Sequence, residues 1–180
     1  MSSTIRTARM DLVPATARLL RAEVEGPERL ATALGVDVGH GWPPALYDSE
    51  ALDWSLDQVV DDVRFTDWGM HYLVLRASHP ASPVVVGIAG YREPAVDDGS
   101  VEIGYSVLPA FQRRGLATEA VLGLVDHAFE DASVARVVAH TLPYLEPSIG
   151  VLCKAGFSCA GEVCDEGRSV VRYVRERGAA

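Results

Sequence analysis

The sequence predicts an α+β domain, mixed α/β in character, with a central mixed sheet and helices on both of its faces. Three observations carry that expectation. Apolar residues follow helical spacing in the first third of the chain, shift to strand-like runs after His71, and return to helical spacing further on. The clearest helical pattern, 115–130, stands between strand-like segments on either side. A chain of 180 residues, 48% hydrophobic and 23% charged, with mean hydropathy +0.11, is enough for one core, so a single domain over 1–180 is expected.

Residues 5–13 alternate loosely and stop at Pro14, which reads as a strand. Ala15, Leu19 and Ala22 then recur at helical spacing as far as Glu25, where Gly26-Pro27 breaks the pattern and a shorter helix follows over 28–34. Residues 35–44 form a Gly- and Pro-rich loop containing Trp42, and Ser49 is the expected N-cap of a helix over 49–65. The runs 72–75 and 84–89, separated by the turn cluster 78–83, read as a hairpin. Asp97-Asp98-Gly99 supplies the next turn, and a strand over 101–107 stops at Pro109, which has no N–H to offer a ladder. In the long helix Leu116, Ala120, Leu124 and Ala128 mark one face. A strand at 135–141, a short helix at 147–154 closed by Gly156, and two strands at 157–164 and 169–175 joined by a turn complete the order.

Sixteen basic against 25 acidic residues give a formal charge of −9 and a pI near 4.9, which argues against a nucleic-acid partner and permits a cationic substrate. No apolar run approaches the roughly 20 residues of a membrane helix, and 1–11 carries Arg6 and Arg9 without the apolar core of a signal peptide, so a cytoplasmic location and no membrane partner are expected. Cys153, Cys159 and Cys164 are odd in number and lack paired CxxC spacing, so they are expected as core or strand thiols, with no metal site. GxxxxGK[ST] and HExxH do not occur, Gly39-x-Gly41 lacks the third glycine of a dinucleotide fingerprint, and Gly104-Tyr105-Ser106-Val107-Leu108 holds only half of a nucleophile elbow.

The segment 107–118, VLPAFQRRGLAT, ends a strand, turns through a short basic stretch and opens the long helix. The first N–H groups of a helix have no intrahelical partner and sit at the positive end of its dipole, so they can face a phosphate. Gly115 lets the main chain approach closely, Ala117 keeps the next turn small, and Arg113 and Arg114 bring full positive charges to the same edge. The alternative from spacing alone is an ordinary solvated helix start.

Gln112-x-x-Gly115-x-Ala117 resembles the Gln/Arg-x-x-Gly-x-Gly/Ala motif of the GNAT superfamily of acetyl-CoA-dependent N-acetyltransferases. Companions stand in matching order: 101–109 (VEIGYSVLP) ahead of it, Ala117-Thr118-Glu119-Ala120 within its helix, and Ser148-Ile149-x-Val151-Leu152-x-Lys154-x-Gly156-Phe157 downstream. Together they resemble the branch of ribosomal-protein N-terminal acetyltransferases over 5–173. The resemblance implies a GNAT fold with a mostly antiparallel sheet of about six or seven strands, and acetyl transfer to a primary amine, on a protein N-terminus or a small molecule, by direct attack in a ternary complex. Acetyl-CoA is then the cosubstrate, no metal is needed, and a homodimer is permitted.

By that resemblance the amides of Arg113, Arg114, Gly115, Leu116, Ala117 and Thr118, with Gln112, hold the coenzyme's pyrophosphate. The strand edge at Tyr105 to Val107 pairs with the pantetheine arm, Val107 acting through its backbone, and the amide near Tyr105 polarises the thioester carbonyl. The amine must arrive neutral, which calls for a carboxylate or a water held by one. Glu102 is the first candidate base, although strand alternation points it away from Val101, Ile103 and Tyr105, so a bulge would be needed to bring it to the cleft. Its alternative is a charge paired with a basic neighbour on the far side of the sheet. Glu93, Asp67 and the strand-end His140 are further candidates. Ser148 takes the thiolate-facing role by resemblance, or caps the helix that follows Pro147.

Two positions depart from the family pattern. Leu145 stands where many relatives carry Asn, and Leu152 where many carry a proton-donating Tyr. Trp42, Pro43, Pro44, Tyr47, Trp54 and Trp68 fall in the segment where relatives build the acceptor pocket, the tryptophans being better suited to a core. A catalytically idle acyl-CoA-binding domain, acting as sensor or scaffold, and an unrelated α/β protein with another phosphate ligand are the competing functional readings.

Overall fold

The computed structural model describes residues 4–77, 82–92, 94–95, 98–165 and 167–178. In chain order its elements are β1 (Ile5–Arg6), β2 (Met10–Pro14), α1 (Ala17–Val24), α2 (Pro27–Leu34), β3 (Asp37–Val38), α3 (Ser49–Asp61), β4 (Met70–Leu75), β5 (Val84–Tyr91), β6 (Ser100–Val107), α4 (Leu116–Ala128), β7 (Arg136–Thr141), α5 (Glu146–Lys154), β8 (Ser158–Asp165) and β9 (Arg168–Glu176). The sheet runs β1-β2-β4-β5-β6-β7-β9-β8, with β3 paired to β5. Only β3–β5 and β6–β7 are parallel among these pairs, so the mixed, mostly antiparallel sheet expected above is what forms.

Among the described residues nine strands replace the expected six or seven, for two local reasons. The opening strand folds back on itself where the Thr7 amide donates to the Met10 carbonyl at 2.9 Å. Within the Gly- and Pro-rich loop, Asp37 and Val38 find free ladder positions beside Val84 and Val85. The N-cap of α3 is Asp48 rather than Ser49: its carboxylate accepts from the Ala51 amide at 3.0 Å. That helix stops at Asp61 instead of reaching Phe65, because Asp62 turns its side chain onto the Arg64 amide and starts a separate 3-10 turn over Val63–Thr66.

Strand alternation divides the core between the two faces of the sheet. Met10, Leu12, Leu73, Val86 and Ile103 pack with Leu116, Ala120, Leu124 and Leu152 of α4 and α5. Tyr72, Val74 and Val85 pack on the other face with Leu19, Leu20 and Leu30 of α1 and α2. Each fully buried aliphatic side chain contributes roughly 1.5–3 kcal/mol, so both layers are held by the sheet rather than by helix propensity. Trp42 joins the second cluster and Trp68 the first, where its ring lies 4.9 Å from that of Tyr91, whereas Trp54 on α3 is half exposed. Of the thiols expected in the core or on strands, Cys159 and Cys164 lie on the edge strand β8 and Cys153 is helical, while a core place is corrected for all three, which are exposed. Among the described residues no helix is long and apolar enough to cross a membrane, and no group of His, Cys, Asp or Glu is arranged to hold a metal.

His71 is the buried titratable group with the clearest consequence for stability. It is 1% exposed, its Nδ1 lies 3.0 Å from the Gly69 carbonyl, and burial pushes its imidazole down to about 4, opposed by that hydrogen bond. The folded state thus holds His71 neutral while the unfolded chain protonates it near pH 6.5. The stability it lends is complete above that pH and is lost as pH falls toward 4, by about 3 kcal/mol in all. Urea midpoints between pH 7 and 4.5 should therefore drop less in His71→Gln than in the wild type; parallel losses would assign the acid sensitivity elsewhere.

Candidate functional site

The site begins where two neighbouring strands part. β6 and β7 pair only over Ser100–Glu102 against Arg136–Val138, after which β6 keeps β5 as its partner and β7 keeps β9. The Arg92 amide donates to the Glu102 carbonyl, and the Leu108 amide to the Val86 carbonyl. Main-chain groups alternate sides along a strand, so the even residues of β6 serve β5, while Ile103, Tyr105 and Val107 turn theirs toward the split. An interior strand of the sheet thereby has an open edge.

That edge runs directly into the turn before α4. The side-chain amide of Gln112 donates to the Val107 carbonyl at 2.9 Å, tying the turn back to the strand it leaves, so Gln112 acts on the loop's shape. Arg113 takes a left-handed conformation at φ 60° and Gly115 another at φ 77°. Gly115 is the N-cap of α4 and has no side chain with which to cap it, and the first intrahelical bond is from Glu119 to Gly115, which leaves the amides of Leu116, Ala117 and Thr118 at a bare helix start. Arg113 and Arg114 are exposed, the latter 5.4 Å above the Phe111 ring.

This turn is fastened from a distance. Glu119, in the first turn of α4, accepts from the Thr7 hydroxyl, the Arg9 amide and the Arg9 guanidinium, each at 2.6 Å, and Arg9 also donates to the Arg114 carbonyl at 2.9 Å. Burial pushes the Glu119 carboxyl up, but these three donors outweigh it and hold the group below its ordinary range.

On the face shared with α4, Tyr105 reaches across the split to α5. Its hydroxyl lies 2.9 Å from Ser148 Oγ and donates to the Ser148 carbonyl at 3.1 Å, while burial pushes the phenol up to about 12. A phenol so shifted stays protonated at neutral pH. Ser148 is not the cap of its helix: the N-cap of α5 is Leu145, with no side-chain cap bond, and the serine hydroxyl is turned to Tyr105 instead. Leu152 is fully buried in the core on the same helix.

On the opposite face stands Glu102, as alternation requires and without a bulge in β6. It is the last residue of β6 paired to β7, so its carboxylate stands at the mouth of the split all the same. Glu102 Oε1 lies 3.3 Å from Arg92 and 3.1 Å from His140 Nδ1, the latter at ion-pair distance but off the angle of a hydrogen bond. Glu102 and His140 are brought together, whereas Asp67 closes the 3-10 turn ahead of β4, beyond β5 from the split. Glu93 lies outside the described residues.

A wall on this face was not legible as such. Glu23 of α1 is 6% exposed and accepts from Trp42 Nε1 at 2.7 Å, Tyr47 at 3.1 Å and Tyr72 at 2.6 Å. Burial raises its carboxyl above the ordinary range while the hydrogen bonds from Tyr72, Trp42 and Tyr47 pull it back. The network pins the loop 42–47 against α1 and β4, and the Ala45 carbonyl accepts from the Ser106 hydroxyl at 2.6 Å, laying the loop across β6 beside the split.

A parted mixed sheet with an open interior edge thus leads into a helix start without a side-chain cap, in a mixed α/β domain. Residues 30–158 match the acetyltransferase (GNAT) domain model, and the chain belongs to that family. An uncharacterized N-acetyltransferase, p20, of Bacillus licheniformis is 30% identical over 90 residues, covering 50% of this chain and 51% of p20. The chain spans about half the length of the curated relatives it matches. Among solved structures, the ribosomal alpha-N-protein acetyltransferase RimL in complex with coenzyme A superposes at TM-score 0.68 with 16% identity, over 97% of this chain and 98% of that one. An acetyl transferase of Salmonella typhimurium, described as modifying the N-terminal serine of a 50S ribosomal subunit protein, gives TM-score 0.68 with 14% identity, over 98% and 100%. These two likenesses concern the fold.

Proposed function

We propose that this chain transfers an acetyl group from acetyl-CoA to a primary amine, on a small molecule or at a protein N-terminus, by direct attack within a ternary complex. The observation that carries the reading is the continuity of the open β6 edge with the bare amides of Leu116, Ala117 and Thr118. A long ligand with an amide-bearing arm and a diphosphate fits such a track: the arm completes the ladder at Tyr105 and at the amide of Val107, whose carbonyl Gln112 already occupies, and the phosphates meet amide dipoles and the charges of Arg113 and Arg114. A dipole contact is worth only about 0.3–1 kcal/mol, so several amides act together.

In this reading the Tyr105 amide steadies the charge that develops on the thioester oxygen, a role worth about 3 kcal/mol for a single donor. Glu102, directly or through one water, takes the proton of the attacking amine. On the other side of the split the Ser148 hydroxyl gives its proton to the departing thiolate and regains one from the protonated phenol of Tyr105, 2.9 Å away, which solvent refills. Ser148→Ala should lower turnover about 10²-fold, within the usual range for lost acid–base assistance, with desulfo-coenzyme A affinity nearly unchanged. Equal turnover would leave Ser148 as no more than a link between β6 and α5.

The test of the reading is acetyl-CoA turnover against an amine panel, followed by release of free thiol. Desulfo-coenzyme A at 100 times its dissociation constant should stabilise the fold by about 2.7 kcal/mol. Leu145 and Leu152, both departures from the family pattern, favour one second reading, an idle acyl-CoA binder. Stabilisation with no turnover of any amine would select it, and neither effect would point to a different phosphate ligand.

A further inference from the structure

We propose that the amine acceptor sits across a bare stretch of β6 at Gly104, and that the missing side chain there admits the substituent on the carbon bearing the amine. The inference rests on the acetyl-transfer reading above and assigns a specificity-determining position to it. β6 is an interior strand, flanked by β5 and β7, yet Gly104 is exposed. Among the described residues a Cβ built on it would meet nothing within 4 Å, and its backbone is not left-handed. Neither close packing nor backbone conformation therefore calls for glycine at this position, unlike its cross-strand partner Gly90, where a Cβ would lie 2.3 Å from the Gly69 carbonyl oxygen.

The open space has definite borders. Glu102 and Ser106 are the residues before and after Gly104 on the same face, each about 7 Å away along the strand. Glu102 supplies a carboxylate at one end, and at the other Ser106 holds the loop that carries Leu46, 85% exposed and in a left-handed conformation at φ 63°. Beyond Gly90 lies the main chain of Gly69 and Met70, and the remaining side opens to the split. An amine presented to Glu102 thus has its adjoining carbon over Gly104 and its further apolar part toward Leu46. A β-branched side chain at Gly104 would fill that space while suiting the strand.

Gly104→Val and Gly104→Ala should fold like the wild type and bind desulfo-coenzyme A unchanged, because the added atoms point away from the α4 face. With the wild type turning over both glycinamide and leucinamide, Gly104→Val should raise KM for leucinamide at least tenfold and for glycinamide less than threefold, with Gly104→Ala between. Equal effects on the two amides, no effect on either, lost coenzyme affinity, or a wild type that accepts only unsubstituted amines would each overturn the seat while leaving acetyl transfer standing. A wild type that acetylates no amine would remove the acetyl-transfer reading and the seat together.

Discussion

Gly115→Asp is expected to abolish coenzyme binding while the protein remains folded. The substitution acts on a residue that combines a left-handed backbone, an N-cap position and no capping side chain. A Cβ there would sit 3.4 Å from Arg9 Nη2, so the new group has room, and the strain of a side chain at φ 77° is roughly 1–2 kcal/mol, small enough for the fold to absorb. The carboxylate would stand in front of Leu116, Ala117 and Thr118, adding bulk and negative charge where the diphosphate needs amides. Calorimetric titration with desulfo-coenzyme A should show a loss of at least about 100-fold, equivalent to some 2.7 kcal/mol. A folded variant, judged by circular dichroism, that kept wild-type affinity would refute the placement of the phosphates.

Glu102→Gln should be nearly as damaging, but in the opposite compartment of the kinetics. The amide keeps the carboxylate's volume and a hydrogen-bond acceptor for Arg92, so the mouth of the split should hold its shape. What disappears is a group able to take the amine's proton. Turnover is expected to fall 10²- to 10⁴-fold, as is usual for a lost general base, with desulfo-coenzyme A affinity unchanged. Full turnover in the variant would reduce Glu102 to an ion-pair partner of Arg92 and His140.

Much of the fold was legible because periodicity reports it directly: the amphipathic stripe of α4 and the apolar runs of β4 and β5 require no knowledge of distant residues. The helix start at Gly115 was readable for the same reason. Strand alternation also placed Glu102 correctly on the face away from Ile103 and Tyr105, but it could not say that β7 leaves β6 directly after that residue. No bulge forms, and the carboxylate lies on the far face 3.3 Å from Arg92, the pairing with a basic neighbour that alternation offers as the alternative. Ser148 fits either a thiolate-facing group or a cap in the sequence; the N-cap at Leu145 and the approach of Tyr105 across 43 positions of chain decide against the cap. The clasp of Thr7 and Arg9 on Glu119 spans 110 or more positions, which no local pattern encodes. Glu23 did leave a trace: it shares the buried stripe of α1 with Leu19 and Leu20, and an acidic residue in an apolar stripe calls for partners.

The clasp on Glu119 makes remote parts of the molecule mechanically continuous. The first hairpin of the chain, at one border of the sheet, is riveted to the turn that precedes α4, and that turn is in turn tethered through Gln112 to the end of β6. Residues 7–9 therefore share in fixing the shape of this turn, the one proposed above to meet a diphosphate.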